Sequence, residues 1–188
     1  MVILGCLLIT PLLAQEEDTE DKEKTARPIK HTLEGGLTMG GQLSNETFVY
    51  KSGMHVQYTA CKAFSSRVLY GLGIGFEQFD TERFIPLFAS FQGLLKKKDN
   101  TPFLTAQLGY AVGINRSYPQ YEGYQFNGGI LFSPGIGYRF FIGDRVAALM
   151  GIHYKHQFAR SSYETAGSHT YRITLNYDLI AFRAGIQF

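Results

Sequence analysis

From residue 32 onward the chain alternates apolar and polar positions with period two. Residues 32–42 place Leu33, Leu37 and Met39 on one parity and Thr32, Glu34, Gly36, Thr38 and Gly40 on the other. Successive side chains of a strand point to opposite faces, so this pattern predicts a strand with one apolar and one polar or small face. Residues 53–61 repeat it, with Met54, Val56, Tyr58 and Ala60 against His55, Gln57 and Thr59. In 67–78, Val68, Tyr70, Leu72, Ile74 and Phe76 oppose Gly71, Gly73, Gly75 and Glu77. Residues 103–114 set Leu104, Ala106, Leu108, Tyr110, Val112 and Ile114 against Thr105, Gln107, Gly109 and Gly113. Residues 126–140 set Ile130, Phe132, Pro134, Ile136, Tyr138 and Phe140 against Gly129, Ser133, Gly135, Gly137 and Arg139. Residues 145–158 set Val146, Ala148, Met150, Ile152, Tyr154 and Phe158 against Gly151, His153, Lys155 and Gln157.

Two further segments are strands with a flaw. In 83–94, Ile85, Leu87, Ala89 and Phe91 share the apolar parity, but Phe84 and Phe88 fall on the side of Ser90 and Gln92, and Pro86 has no N–H for a ladder. A bulge or irregular end near Pro86 is expected there. In 170–188 the apolar set is odd at Tyr171, Ile173, Leu175 and Tyr177 and even from Ile180 on, which a bulge near Asp178–Leu179 would reconcile. That makes eight strands. With the N-terminus on the inner side, the outward connections are 43–48, 79–82, 115–125 and 160–169, and the inward ones are 62–66, 95–101 and 142–144. The two longest outward connections are longer than any inward one, as in a barrel with short periplasmic turns.

The three alternating glycines at 71, 73 and 75 decide between a soluble sheet and a barrel. A half-exposed soluble strand loses packing and backbone entropy at each one, whereas a narrow lumen crowded by neighbouring side chains needs them. Composition agrees: 21 Gly, 15 Phe and 12 Tyr with no Trp mark a chain of β formers, and no apolar run after the N-terminus approaches a spanning helix. The net charge of +2 is spread along the chain with no basic stripe, so a nucleic-acid partner is not expected.

Residues 1–14 (MVILGCLLITPLLA) are apolar, too short to span and followed by a polar stretch, the pattern of a secretory signal peptide cut after Ala14. It has no basic leader, and Leu12 is large for its place before the cut. Ile3-Leu4-Gly5-Cys6 has the look of a lipidation box, but five residues before the Cys do not make the signal a lipoprotein needs. Its removal leaves Cys61 as the sole cysteine and rules out an intramolecular disulfide. Residues 15–30, dense in both charges and without an aromatic, are expected to be a flexible periplasmic tail before a barrel at 31–188.

The final nine residues, Ile-Ala-Phe-Arg-Ala-Gly-Ile-Gln-Phe, put Phe182, Ile186 and Phe188 on one parity, and roughly 9 to 11 tilted residues cross a bilayer. This ending resembles the C-terminal signature by which outer-membrane barrels are recognised by the barrel-assembly machinery. The runs Phe84-Ile85-Pro86-Leu87-Phe88, Leu108-Gly109-Tyr110, Ser133-Pro134-Gly135-Ile136-Gly137-Tyr138-Arg139-Phe140 and Phe182-Arg183-Ala184-Gly185-Ile186-Gln187-Phe188 extend the likeness over residues 31–188. The chain resembles the small eight-stranded outer-membrane barrels of the OmpX and OmpA type, and more closely the outer-membrane β-barrel domain proteins common in the Bacteroidota. The resemblance implies an all-β fold, an eight-stranded antiparallel up-and-down transmembrane barrel, a monomer in outer-membrane lipid. It transfers no catalytic motif.

Candidate chemistry is sparse. A lumen this narrow fills with its own side chains, so Glu34 and Glu77 are expected to pair with Arg139, Lys155 and Arg183 as a structural polar network, and no wide pore is expected. His153 and His156 are three apart, which on a strand sends them to opposite faces and away from a shared metal. His156, Ser161, Ser162 and Glu164 have the residue types of a lipid A deacylase, a small barrel enzyme using Ser, His and Glu, but the His-x-Ser-Asn run of those enzymes is absent. A soluble lipocalin-like carrier would be apolar inside, the reverse of this pattern. The expectation is a barrel without catalytic, cofactor or metal site, whose role lies in the outer loops. Tyr118, Tyr121 and Tyr124 are the candidate contacts there, or else part of an interfacial aromatic girdle, and the external ligand is left open.

Overall fold

The computed structural model describes residues 29–44, 47–79, 82–97, 100–114, 124–143, 145–165 and 169–188. Every element in them is a strand: β1 Ile29–Ser44, β2 Thr47–Ala63, β3 Val68–Phe79, β4 Arg83–Leu94, β5 Thr101–Ile114, β6 in two pieces (Gln125–Asn127 and Gly129–Phe141), β7 Ala147–Thr165 and β8 His169–Gln187. Each pairs antiparallel with the next, and β1 pairs with β8 from Thr32↔Gln187 to Leu43↔Asn176. The sheet therefore closes into an eight-stranded up-and-down barrel with no free edge. His31 and Phe188 exchange backbone hydrogen bonds of 2.8 and 2.9 Å, which ties the last residue into the seam. Residues 1–14, expected to be a signal peptide, and residues 15–28, expected to be part of a tail, lie outside the described residues. Ile29 and Lys30, expected in the tail, already belong to β1.

The alternation has the expected sense. Leu37, Leu72, Leu108, Ile136 and Met150 point outward and are between 57% and 73% exposed. A soluble monomer seldom exposes apolar area on such a scale, and here it girdles every strand, so this surface faces hydrocarbon. The opposite parity fills the lumen. There the glycines of β3 make room: a Cβ on Gly73 would sit 2.4 Å from the ring of Phe88. Phe88 occupies the space that the glycine leaves.

Three irregularities differ from expectation. β8 contains no bulge: its pairing with β7 is unbroken from Ala147↔Gln187 to Thr165↔His169. Leu175, Tyr177, Leu179, Ala181, Arg183 and Gln187 are all buried inside, so the odd parity faces the lumen from Leu175 to Gln187 without a change of phase. The apparent phase change is a change of surroundings, from hydrocarbon to water outside and from polar to apolar inside. Likewise β4 carries no inserted residue at Pro86. The irregularity expected there is instead a gap in the ladder: Ile74↔Leu87 and Glu77↔Phe84 keep one register, while Ile85 and Pro86 between them have no partner on β3, and Pro86 is buried in the lumen beside Phe84 and Phe88.

The actual bulge lies in β6 at Gly128. Asn127 pairs with Arg160 and Leu131 with Gln157, so four steps along β6 oppose three along β7. A Cβ on Gly128 would lie 1.5 Å from the Ala111 carbonyl oxygen, a spacing only glycine permits. The connection expected at 160–169 is also shorter than expected. β7 and β8 are 19 residues each against 12 in β3 and β4, and they form a hairpin that stands beyond the apolar girdle.

Candidate functional site: a layered lumen and an extended hairpin

The lumen is filled in layers along its axis. At the far end, away from the start of β1, Phe79, Phe84, Phe88, Phe126 and Tyr177 pack with small and aliphatic side chains into an apolar plug. Phe84 is at its centre, with ring centroids 5.2 Å from Phe126, 5.7 Å from Tyr177 and 6.0 Å from Phe79. Phe84 and Tyr177 are 0% exposed, so the rings leave no aqueous path between them. At the near end, where β1 starts and β8 finishes, Cys61, Leu69, Leu94, Phe103 and Leu149 form a second apolar layer.

Between them runs a polar belt. Lys155 donates to Glu77 as a buried ion pair, the one match of acid with base among the five network residues. Arg183 has no carboxylate in hydrogen-bond reach and donates instead to Gln107 Oε1 at 2.8 Å and Ser133 Oγ at 3.2 Å. Glu34 accepts from Gln57 Nε2 at 2.6 Å. Arg139 is not in the belt: it lies at the near end, its guanidinium 5.0 Å over the ring of Phe141. The expectation that two acids would be matched with three bases is therefore corrected. The barrel meets the two Nη groups of Arg183 and the carboxylate of Glu34 with neutral amides and a hydroxyl, which solvate a charge at close range without bringing a second buried charge, and leaves Arg183 Nε without a protein acceptor.

Other members were not singled out in the sequence. Thr38 Oγ1 and His55 Nδ1 are 3.0 Å apart, and Lys51 is bonded to Glu82 at 2.8 Å at the far rim. His153 is 2% exposed with neither ring nitrogen bonded to protein, and it borders an internal cavity of about 20 Å³ shared with Glu34, Thr59 and Gln107. That is room for one water with several polar neighbours.

On the outer face, Asp178 accepts from Tyr154 Oη and lies 2.7 Å from His156 Nδ1. His153 and His156 indeed point to opposite sides, one buried in the lumen and one outward. Among the described residues no three His, Cys, Asp or Glu side chains are arranged to hold a metal. The deacylase-like set does not assemble. Ser161 is buried on the lumen side. Ser162, although it shares the parity of His156, is six residues further along β7, about 20 Å at strand rise. A nucleophile and its base must be within hydrogen-bond reach, and His156 is engaged by Asp178 instead. The side chain of Glu164 lies outside the described residues.

Tyr118 and Tyr121 also lie outside the described residues. Tyr124 is half-buried and packs against the apolar plug. Phe182, Ile186 and Phe188 all point outward along β8, between 43% and 52% exposed. Arg160 and Arg172 stand exposed on the extended hairpin.

No protein-family model and no curated protein matches the chain. Its fold does match solved structures. The outer membrane protein OprG from Pseudomonas aeruginosa aligns with a TM-score of 0.62 at 8% identity, covering 86% of this chain and 95% of that one. AlkL, an outer membrane protein determined in DMPC bilayers, aligns at 0.57 and 9% identity over 93% and 96% of the two chains. Neisserial surface protein A aligns at 0.53 and 10% identity over 84% and 95%. At such identities the likeness is one of fold, and it agrees with the apolar girdle: the chain has the architecture of a small outer-membrane barrel.

Proposed function

We propose that this chain is a monomeric bacterial outer-membrane protein that performs no covalent chemistry and acts through its far-end hairpin and neighbouring loops, with a plugged lumen. The plug of Phe79, Phe84, Phe88, Phe126 and Tyr177 is the observation that carries this reading. A lumen closed by packed rings gives no route for a solute, and strands committed to lipid and lumen leave recognition to what projects beyond them. The β7–β8 hairpin projects furthest, and residues 115–123, with Tyr118 and Tyr121, belong to the same end in this reading. Export through residues 1–14 and recognition of Phe182, Ile186 and Phe188 by the assembly machinery complete it, with both barrel termini in the periplasm.

Two measurements test the proposal. Planar-bilayer recordings of pure protein are expected to show no large stable conductance. Lipid A profiles of cells with and without the gene are expected to coincide, and adhesion or envelope integrity to change. Loss of an acyl chain that disappears in a Ser162→Ala, His156→Ala variant overturns the non-enzymatic reading.

A further inference from the structure

We propose that the outer wall of the barrel holds an anionic phospholipid, with one acyl chain lying in a groove across β2, β3, β4 and β5 and the phosphate held by Lys62 and Tyr70. The strand register builds the groove from two rows of outward side chains. One row, partner to partner, is Ala60, Leu72, Ala89 and Leu108. The next row toward the near end is Lys62, Tyr70, Phe91 and Ala106. The positions between the rows, from Cys61 across Gly71 and Ser90 to Gln107, belong to the lumen parity, so their backbone forms the floor. Alanine at 60, 89 and 106 stands where most of the girdle carries a large side chain, and the missing volume leaves a groove of about 730 Å³. Four strands about 4.8 Å apart make it roughly 15 Å long, enough to seat a chain lengthwise.

Bulk lipid is as apolar as the groove, so a chain gains no hydrophobic free energy by entering it. Close packing on the floor and fixing of the headgroup are what hold it. Lys62 stands exposed at the β2 end of the groove beside Ile29, and Tyr70 is its direct partner on β3. An ammonium and a phenolic hydroxyl side by side are both donors, and phosphate oxygens accept from both. Phe64 packs edge-on against Tyr70, ring centroids 6.4 Å apart, and steadies that ring at the groove mouth. A headgroup of net negative charge is favoured over a zwitterionic one, whose own ammonium would repel Lys62. The relief of the wall selects a chain over a second barrel: Leu72, 73% exposed between two alanines, holds a rigid convex wall off the floor, whereas a flexible chain passes beside it. A second groove of about 660 Å³ crosses the other wall over Gly36, Gly151 and Gly137. Its one charged lining residue, Arg183, points into the lumen toward Gln107 and Ser133, so it has the shape of the first groove without the outward cation.

The test places the full chain in phosphatidylcholine nanodiscs doped with phosphatidylglycerol that carries a diazirine in its acyl chain, and maps crosslinked residues by peptide mass spectrometry after illumination. Crosslinks are expected to concentrate on Ala60, Leu72, Ala89 and Leu108 about fivefold over the second groove at Gly35 and Ala184, and unlabelled phosphatidylglycerol to displace the probe about fivefold better than phosphatidylcholine. Lys62→Gln is expected to abolish that preference. Ala60→Leu with Ala89→Leu, which fills the groove, is expected to level the labelling, and Ala184→Leu on the other wall to leave both readouts unchanged. Even labelling around the girdle of the unaltered protein overturns the proposal, as does an unchanged lipid preference in Lys62→Gln or unchanged labelling in a filled variant that keeps its heat-modifiable gel shift. A dimer in discs holding two chains, lost on filling the groove, identifies a second copy as the occupant and overturns it as well. Should the filled variant not fold, Lys62→Gln decides alone: equal displacement by the two lipids supports the proposal, and a persisting preference overturns it.

Discussion

The far-end plug and the polar belt beneath it share one lumen and one set of strands, yet they are held by opposite physics. In the plug, stability scales with apolar area and ring packing, and each residue contributes nearly on its own. In the belt, each charge was desolvated to enter, so it is tolerable only while its partner remains. The lesson is that the plug should lose stability in proportion to what is removed, whereas the belt should lose it according to what is left behind.

The largest expected effect breaks the belt. Glu77→Ala strands the Lys155 ammonium, 3% exposed, and should cost about 3–5 kcal/mol in urea unfolding followed in detergent. Adding Lys155→Met should recover most of that loss, and failure to recover it would mean the pair is not coupled as described. Next comes the plug. Phe84→Ala removes the central ring and should cost about 3 kcal/mol, with no rescue by a second truncation among its neighbours. A smaller effect is expected at Gln107→Ala, which takes one acceptor from Arg183 but leaves Ser133, for about 2 kcal/mol by the same unfolding measurement. Smallest of all, Ser162→Ala, outside both layers, should change stability by less than about 0.5 kcal/mol, and a larger change would show that the hairpin is tied to the barrel core.

The plug also explains where sequence reading failed. Phe84 and Phe88 on the polar parity of β4, and Tyr171 to Tyr177 on the odd parity of β8, look like errors of phase that a bulge would correct. Phe84, Phe88, Ile173, Leu175 and Tyr177 are correct in phase and belong to an apolar layer inside the barrel. The signal was present: two strands departing from alternation in the same way at the same end mark one shared environment. By contrast, no local sign announced the bulge at Gly128, because it arises from how closely β5 approaches the backbone of β6. The extension of β7 and β8 was hidden as well, since polar outward residues in a projecting hairpin read like a loop.

The sequence by itself determined the strand number, the closure and the sense of each face, because period-two alternation is a local property and lipid on one side selects it strongly. It also identified the lumen charges Glu34, Glu77, Lys155 and Arg183, since their parity alone sends them inward. Only the tertiary structure decided who meets whom. Lys155 and Glu77 are 78 residues apart, and Arg183 and Gln107 are 76. Such meetings depend on the stagger of all eight strands around the barrel, and a shift of one residue in any pairing would exchange lumen for lipid across a whole strand.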